Sequence, residues 1–158
     1  MIFSNFIYAK AFKKIKIGIG AGPTFSNVRF LVTFEPAYRI SDKLSIGIRF
    51  EYVNLTRHYG ILNSGENDVI YSYTIDMQYY FSSNRNIKPF FGAGLGEYRE
   101  GFPTVISYET KLGFYPRIGF DIRHFNLAMD INITTFKSVP FKSYVGIRVG
   151  GFLGGGKK

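Results

Sequence analysis

Residues 44–52 read Leu-Ser-Ile-Gly-Ile-Arg-Phe-Glu-Tyr and alternate without a break. Leu44, Ile46, Ile48, Phe50 and Tyr52 fall on one side of an extended chain; Ser45, Gly47, Arg49 and Glu51 fall on the other. Successive side chains of a β-strand point to opposite faces, so this stretch has one greasy face and one charged face. If the greasy face packs a core, the protein is a water-soluble β-domain. If the charged face is inside, the greasy face meets lipid.

The rest of the chain repeats the pattern. Ile15, Ile17, Ile19 and Ala21 oppose Lys16, Gly18, Gly20 and Gly22, and Phe30, Val32, Phe34, Pro36 and Tyr38 oppose Thr33, Glu35, Ala37 and Arg39. After the quoted stretch, Tyr71, Tyr73, Ile75, Met77, Tyr79 and Phe81 oppose Ser72, Thr74, Asp76, Gln78 and Tyr80. Phe91, Ala93 and Leu95 oppose Gly92, Gly94 and Gly96; Leu112, Phe114, Pro116, Ile118, Phe120 and Ile122 oppose Gly113, Tyr115, Arg117, Gly119, Asp121 and Arg123. The last two set Leu127, Met129, Ile131 and Ile133 against Asn126, Ala128, Asp130 and Asn132, and Val145, Ile147 and Val149 against Gly146, Arg148 and Gly150. Period two outperforms the helical period throughout, so the expected fold is all-β with eight strands.

Composition agrees. Of 158 residues, 17 are Phe, 12 Tyr and 18 Gly, which favours strands punctuated by turns. The absence of cysteine removes disulfides and thiolate metal sites. No apolar run approaches the roughly 20 residues of a spanning helix, but a barrel strand carries its signal in alternation instead. Short turns are expected at 41–43, 82–86 and 124, and longer loops at 55–68, 97–110 and 135–143, with a shorter one at 23–27. Antiparallel strands in even number, with short turns at one end and long loops at the other, are the layout of an up-and-down transmembrane β-barrel.

The two faces together separate the readings, and the charge-free one decides. The charged face carries Glu35, Glu51, Asp76, Asp121 and Asp130 against Arg39, Arg49, Arg117, Arg123 and Arg148, five of each sign. An eight-stranded barrel has an interior just wide enough to be filled by side chains, and buried charges are tolerated there only when paired. The opposite face has no charge in any strand core, and Tyr38, Tyr52, Tyr71, Tyr79 and Phe81 lie toward segment ends, as in interfacial aromatic girdles. The expectation is therefore a charge-paired, plugged lumen surrounded by lipid. The competing reading is a soluble lipocalin-like calyx with the aromatics inside.

Three stretches carry a family resemblance: Lys88-Pro89-Phe90-Phe91-Gly92-Ala93-Gly94-Leu95-Gly96, Pro116-Arg117-Ile118-Gly119-Phe120-Asp121, and the glycine-rich 144–153. With the alternation around them, the chain resembles the small outer-membrane β-barrel proteins of Gram-negative bacteria, the OmpA/OmpX/OmpW-like group. The resemblance implies residence in the bacterial outer membrane among lipid and lipopolysaccharide, insertion by the barrel-assembly machinery, a periplasmic N-terminus, a monomer, and a surface ligand at the long loops. It also implies, as an alternative, a narrow or lateral path for small hydrophobic molecules. Members commonly end on an aromatic residue, whereas here Phe152 is followed by Leu153-Gly154-Gly155-Gly156-Lys157-Lys158. The barrel domain is expected over 12–153, with 154–158 as a tail. Ala9-Lys10-Ala11 matches a signal-peptidase site, so residues 1–11 read either as the remnant of a leader or as a plain extension.

The formal charge of +9 invites nucleic acid, but the cations Lys10, Lys13, Lys14, Lys16, Lys43, Arg85, Lys88, Arg123, Lys157 and Lys158 fall at chain ends and turns. Without a continuous basic surface and stacking aromatics, no nucleic-acid partner is expected. Residues 18–22 (GIGAG) and 92–96 (GAGLG) lack the third glycine of a dinucleotide loop, and Gly151 to Lys157 lacks the Ser/Thr and helix of a phosphate loop. No cofactor or metal is expected. His58 and His124 fall at opposite barrel ends. Some barrels of the resembled group are lipid A deacylases or acyltransferases, and His58, Ser64 and Glu66 are the one set here that could serve such chemistry. Such residues are routine in an exposed loop, and the expectation is a protein that is not an enzyme.

Overall fold

A computed structural model describes residues 14–25, 29–57, 66–81, 86–101, 108–134 and 143–155. They form eight strands: β1 (Ile15–Thr24), β2 (Arg29–Arg39), β3 (Leu44–Arg57), β4 (Glu66–Tyr80), β5 (Ile87–Gly101), β6 (Tyr108–Ile122), β7 (Phe125–Thr134) and β8 (Tyr144–Gly154). Each pairs antiparallel with its neighbour in sequence, and β1 pairs with β8, closing the barrel. Closure satisfies the backbone N–H and C=O groups strand to strand and leaves no open edge around the apolar band, which is what hydrocarbon demands of a spanning sheet.

The two ends of the barrel differ. At one end, the turn end, lie Ile15, Gly154 and the connections at 40–43, 81–86 and 123–124. The β2–β3 turn is held by Ser41, whose Oγ accepts from the backbone N–H of Leu44 at 3.1 Å. The β6–β7 turn places Arg123 at φ 54, a left-handed conformation uncommon for arginine. Gly154 and Gly155 (φ 77 and 64) also take left-handed angles, where glycine carries no Cβ penalty, and the last strand stops there. The other end, the loop end, carries the connections at 25–28, 58–65, 102–107 and 135–143.

Strands β3 to β6 run further toward the loop end than expected, with 14, 15, 15 and 15 residues against 10 or 11 in the others. The stretches 55–57, 66–68, 97–101 and 108–110, expected in loops, are paired strand, as in Arg57↔Glu66 and Arg99↔Thr110. The physical reason is visible on β5. Beyond Leu95 the outward residues become Glu97 and Arg99, which pair with each other at 2.5 Å. The apolar pattern ends where lipid ends; the hydrogen-bonded ladder continues into water.

The outward face is apolar and the inward face polar. Ile19, Ile75, Leu95 and Leu112 are about two-thirds exposed (65, 67, 65 and 66 %), whereas Arg49, Asp130 and Arg148 are 0–1 % exposed. Monomeric soluble proteins rarely show more than a few hundred Å² of contiguous apolar surface, and this one encircles the barrel. The soluble calyx is thereby excluded. Aromatic clusters mark both rims of the band. Tyr52 and Tyr71 meet at 5.3 Å toward the loop end; Tyr79, Phe81 and Phe91 meet at 5.5–5.9 Å toward the turn end. Residues 1–11 and 156–158 lie outside the described residues; of the expected tail 154–158, Gly154 ends β8 and the Gly155 N–H donates to the Ile15 carbonyl at 2.9 Å.

Ile48 faces outward at mid-band, paired between strands with Ile75. Ile48→Arg is expected to destabilise the barrel in lipid by about 2–4 kcal/mol or to abolish insertion. Urea titration of the vesicle-inserted protein, followed by heat-dependent gel mobility, reads out either result.

Candidate functional site

The interior is built by the inward positions of every strand. Room for it comes partly from glycine. A Cβ on Gly94 would lie 2.3–2.6 Å from the Tyr115 ring, and one on Gly47 would lie 2.7 Å from Asp76 Oδ1. These two glycines let bulky groups on neighbouring strands fill a narrow lumen.

Asp130 on β7 is the centre of the charge arrangement. Its Oδ2 lies 2.8 Å from Arg148 Nε and 3.1 Å from Arg49 Nη1, and its Oδ1 accepts from Arg148 Nη2 at 3.1 Å and lies 3.4 Å from Arg117 Nε. Three guanidinium groups, from β3, β6 and β8, thus share one carboxylate. Glu35 on β2 takes a second share, accepting from Arg117 Nη2 at 2.6 Å and from Arg148 Nη1. Asp76 on β4 accepts from Arg117 Nη1 at 3.2 Å and from Gln78 Nε2 at 2.9 Å. Toward the loop end, Arg49 donates to Asn132 Oδ1 (2.8 Å), lies 3.7 Å from Glu51 Oε2, and sits 3.5 Å from the centre of the Tyr115 ring. The Tyr144 hydroxyl donates to Glu51, and that of Tyr98 donates to Asn132 Oδ1 at 2.8 Å.

A second group lies near the turn end. Lys16 Nζ donates to Asp121 Oδ2 at 2.6 Å, and Asn126 Nδ2 donates to Asp121 Oδ1 at 2.7 Å. The Tyr80 hydroxyl is 3.0 Å from the same Asp121 Oδ2, and the ammonium rests 4.2 Å from the centre of the Phe152 ring. Arg39 has a different role from the one its face suggested. It donates to the backbone carbonyls of Gly155 and, at 3.4 Å, Asp42, with its guanidinium over the Tyr80 ring at 4.7 Å. It fastens the end of β8 to the β2–β3 turn.

The structure therefore brings together Glu35, Arg49, Glu51, Asp76, Arg117, Asp130 and Arg148 in one connected set, with Asp121 in the second group and Arg39 beside it. Arg123 is a correction. It is exposed at the β6–β7 turn and contributes nothing to the interior, because the ladder ends at Ile122 and the turn breaks the inward phase. Lys16, grouped by sequence with the rim cations, takes the inward place, and its position opposite Ile15 and Ile17 was the available signal. Lys111, buried on β6 beside Tyr98, was also missed. So was an apolar cluster at the loop end, Leu31, Val53 and Ile70 against Tyr98 and Tyr144. Its members share the inward phase of Thr33, Glu51 and Ser72; Val53, Ile70 and Tyr98 sit past the segment ends read from the sequence.

Within the lumen a cavity of about 20 Å³ remains, lined by Lys16, Thr33, Glu35, Asp76 and Arg148 among others. That is room for about one water. Among the described residues, no group of three or more His, Asp or Glu is placed to hold a metal ion. His58 and Ser64 lie outside the described residues, and only the backbone of Glu66 is described.

A closed eight-stranded barrel with ion pairs inside and an unbroken apolar exterior is a small transmembrane β-barrel. Solved structures of the same class share its fold. The crystal structure of Neisserial surface protein A (NspA) matches with a TM-score of 0.66 at 17% identity, over 88% of this chain and 94% of that one. The N-terminal β-barrel domain of Pseudomonas aeruginosa OprF matches at 0.52 and 16% identity, over 88% of this chain and 96% of that one. The outer membrane enzyme PagL matches at 0.52 and 13% identity, over 87% of this chain and 98% of that one. No protein-family model and no curated protein matches the sequence.

Asp130→Asn is expected to destabilise by about 3–5 kcal/mol, since it leaves three buried guanidinium groups short of a counter-charge. Adding Arg148→Met should recover part of that loss. Unfolding of the single and double variants in micelles gives the coupling between them.

Proposed function

We propose that this protein is an integral barrel of the bacterial outer membrane whose interior is a structural plug and whose role is exerted at the surface. One observation carries the reading: the lumen is filled by paired charges while the exterior is a continuous hydrocarbon-facing band. Lipid and lipopolysaccharide would surround that band. The turn end would face the periplasm and the longer loops the exterior, where a surface ligand would bind. Three arginines converging on Asp130 support a lumen closed to solutes, because a path would require separating buried ion pairs from one another.

A non-catalytic role fits the same arrangement. The interior carboxylates Glu35, Glu51, Asp76, Asp121 and Asp130 each face a cation or a donating hydroxyl or amide, an arrangement suited to cohesion rather than proton transfer. The fold does not decide this point, since PagL is an enzyme on the same scaffold. A monomer satisfies the reading, the barrel having closed its own edges.

The protein reconstituted in a planar bilayer is expected to give no discrete conductance steps, and the same sample should release no fatty acid from lipopolysaccharide. Stable single-channel openings would overturn the plug. Fatty-acid release that Ser64→Ala abolishes would overturn the non-catalytic role.

A further inference from the structure

The exterior is not uniformly convex. In the half of the apolar band nearer the turn end, a groove of about 370 Å³ crosses β5 to β8, with Pro89, Ile118, Phe120, Leu127, Met129 and Ile147 among its walls. Its volume is within the ~300–1,000 Å³ of sites that hold a small ligand. Gly119 and Ala128 pair across its wall, and the Phe90 ring packs behind Gly119. Three residues beyond Phe120 stands Arg123, exposed, at φ 54. A turn position with that backbone angle suits glycine or asparagine, and arginine is uncommon there.

We propose that this groove and Arg123 together form a binding site for one anionic phospholipid of the inner leaflet, an acyl chain lying in the groove and the phosphate meeting the guanidinium. The inference rests on the membrane reading and deepens it by naming the lipid. Position selects the occupant: a groove inside the hydrocarbon band is filled by hydrocarbon, and a cation at the turn-end rim reaches the headgroups of that leaflet. Lipid tails are as apolar as the walls, so the groove alone gives shape and little selectivity. The guanidinium supplies the preference for negative charge, and its planar fork suits a phosphate.

The test uses the full chain folded in micelles and exchanged with phosphatidylglycerol, phosphatidylethanolamine or lipid A, with retained lipid counted by native mass spectrometry. One phosphatidylglycerol per barrel is expected, held more tightly than the other two. Arg123→Gly relieves the backbone angle, so the folded gel mobility should persist while phosphatidylglycerol retention falls about fivefold. Leu127→Trp fills the groove with apolar bulk and should lower retention of both phospholipids. Retention unchanged in both variants, a preference for lipid A, or a second copy of the barrel in place of lipid would each overturn the site. A folded barrel that holds no lipid overturns this inference alone; a chain that folds in detergent-free buffer overturns the membrane reading beneath it.

Discussion

Asp130 shared among Arg49, Arg117 and Arg148 is the interaction on which the rest of the molecule depends. A barrel surrounded by hydrocarbon has no apolar core of the ordinary kind, because its greasy side chains point outward. Cohesion across the lumen comes from charges instead, and charges removed from water are tolerable only when every one is met. That condition explains the spacing of the whole interior. Arg117 reaches β2, β4 and β7; Arg148 reaches β2 and β7; Arg49 spans from β3 to β7. Glycines on facing strands leave the room those long side chains require.

How much of this was legible in the sequence follows from what period two can record. Alternation identifies the strands and assigns each residue a face, which is why it groups Glu35, Arg49, Asp76, Arg117 and Asp130. It does not record where a ladder stops. Arg123 was therefore counted inward although the chain turns one residue earlier, and Lys16 was set among rim cations although its phase matched Gly18 and Gly20. The tall side of the barrel was misread for the same reason. At Glu97 and Arg99 the pattern loses its apolar half while hydrogen bonding continues, so strand looked like loop. Which carboxylate meets which arginine was not legible at all, since those contacts depend on tilt and stagger around the closed barrel.

The solved structures sharing this fold do so at 13–17% identity, which shows how few positions the architecture constrains. It requires apolar residues outward, a compensated interior and turns of suitable length. One of those structures is a surface protein and another an enzyme, so the fold by itself does not fix the chemistry. Arg123 lies off the ladder, outside the phase rule, at a backbone angle uncommon for arginine.

The partners of the interior lie far apart along the chain: 82 residues separate Arg117 from Glu35, 105 separate Lys16 from Asp121, and 113 separate Arg148 from Glu35. Asp130 meets Arg117 and Arg148 within the β6–β8 hairpins, but Glu35 on β2 and Lys16 on β1 have no charged partner until the last three strands arrive. A half-formed sheet entering the bilayer would present bare guanidinium groups and carboxylates to oil. Only the meeting of the first strand with the last brings all of them their counterparts, and Arg39, gripping Gly155, latches that seam. Closure and charge compensation are thus linked: until the ring shuts, Lys16 and Glu35 lack the partners that β6 and β8 carry.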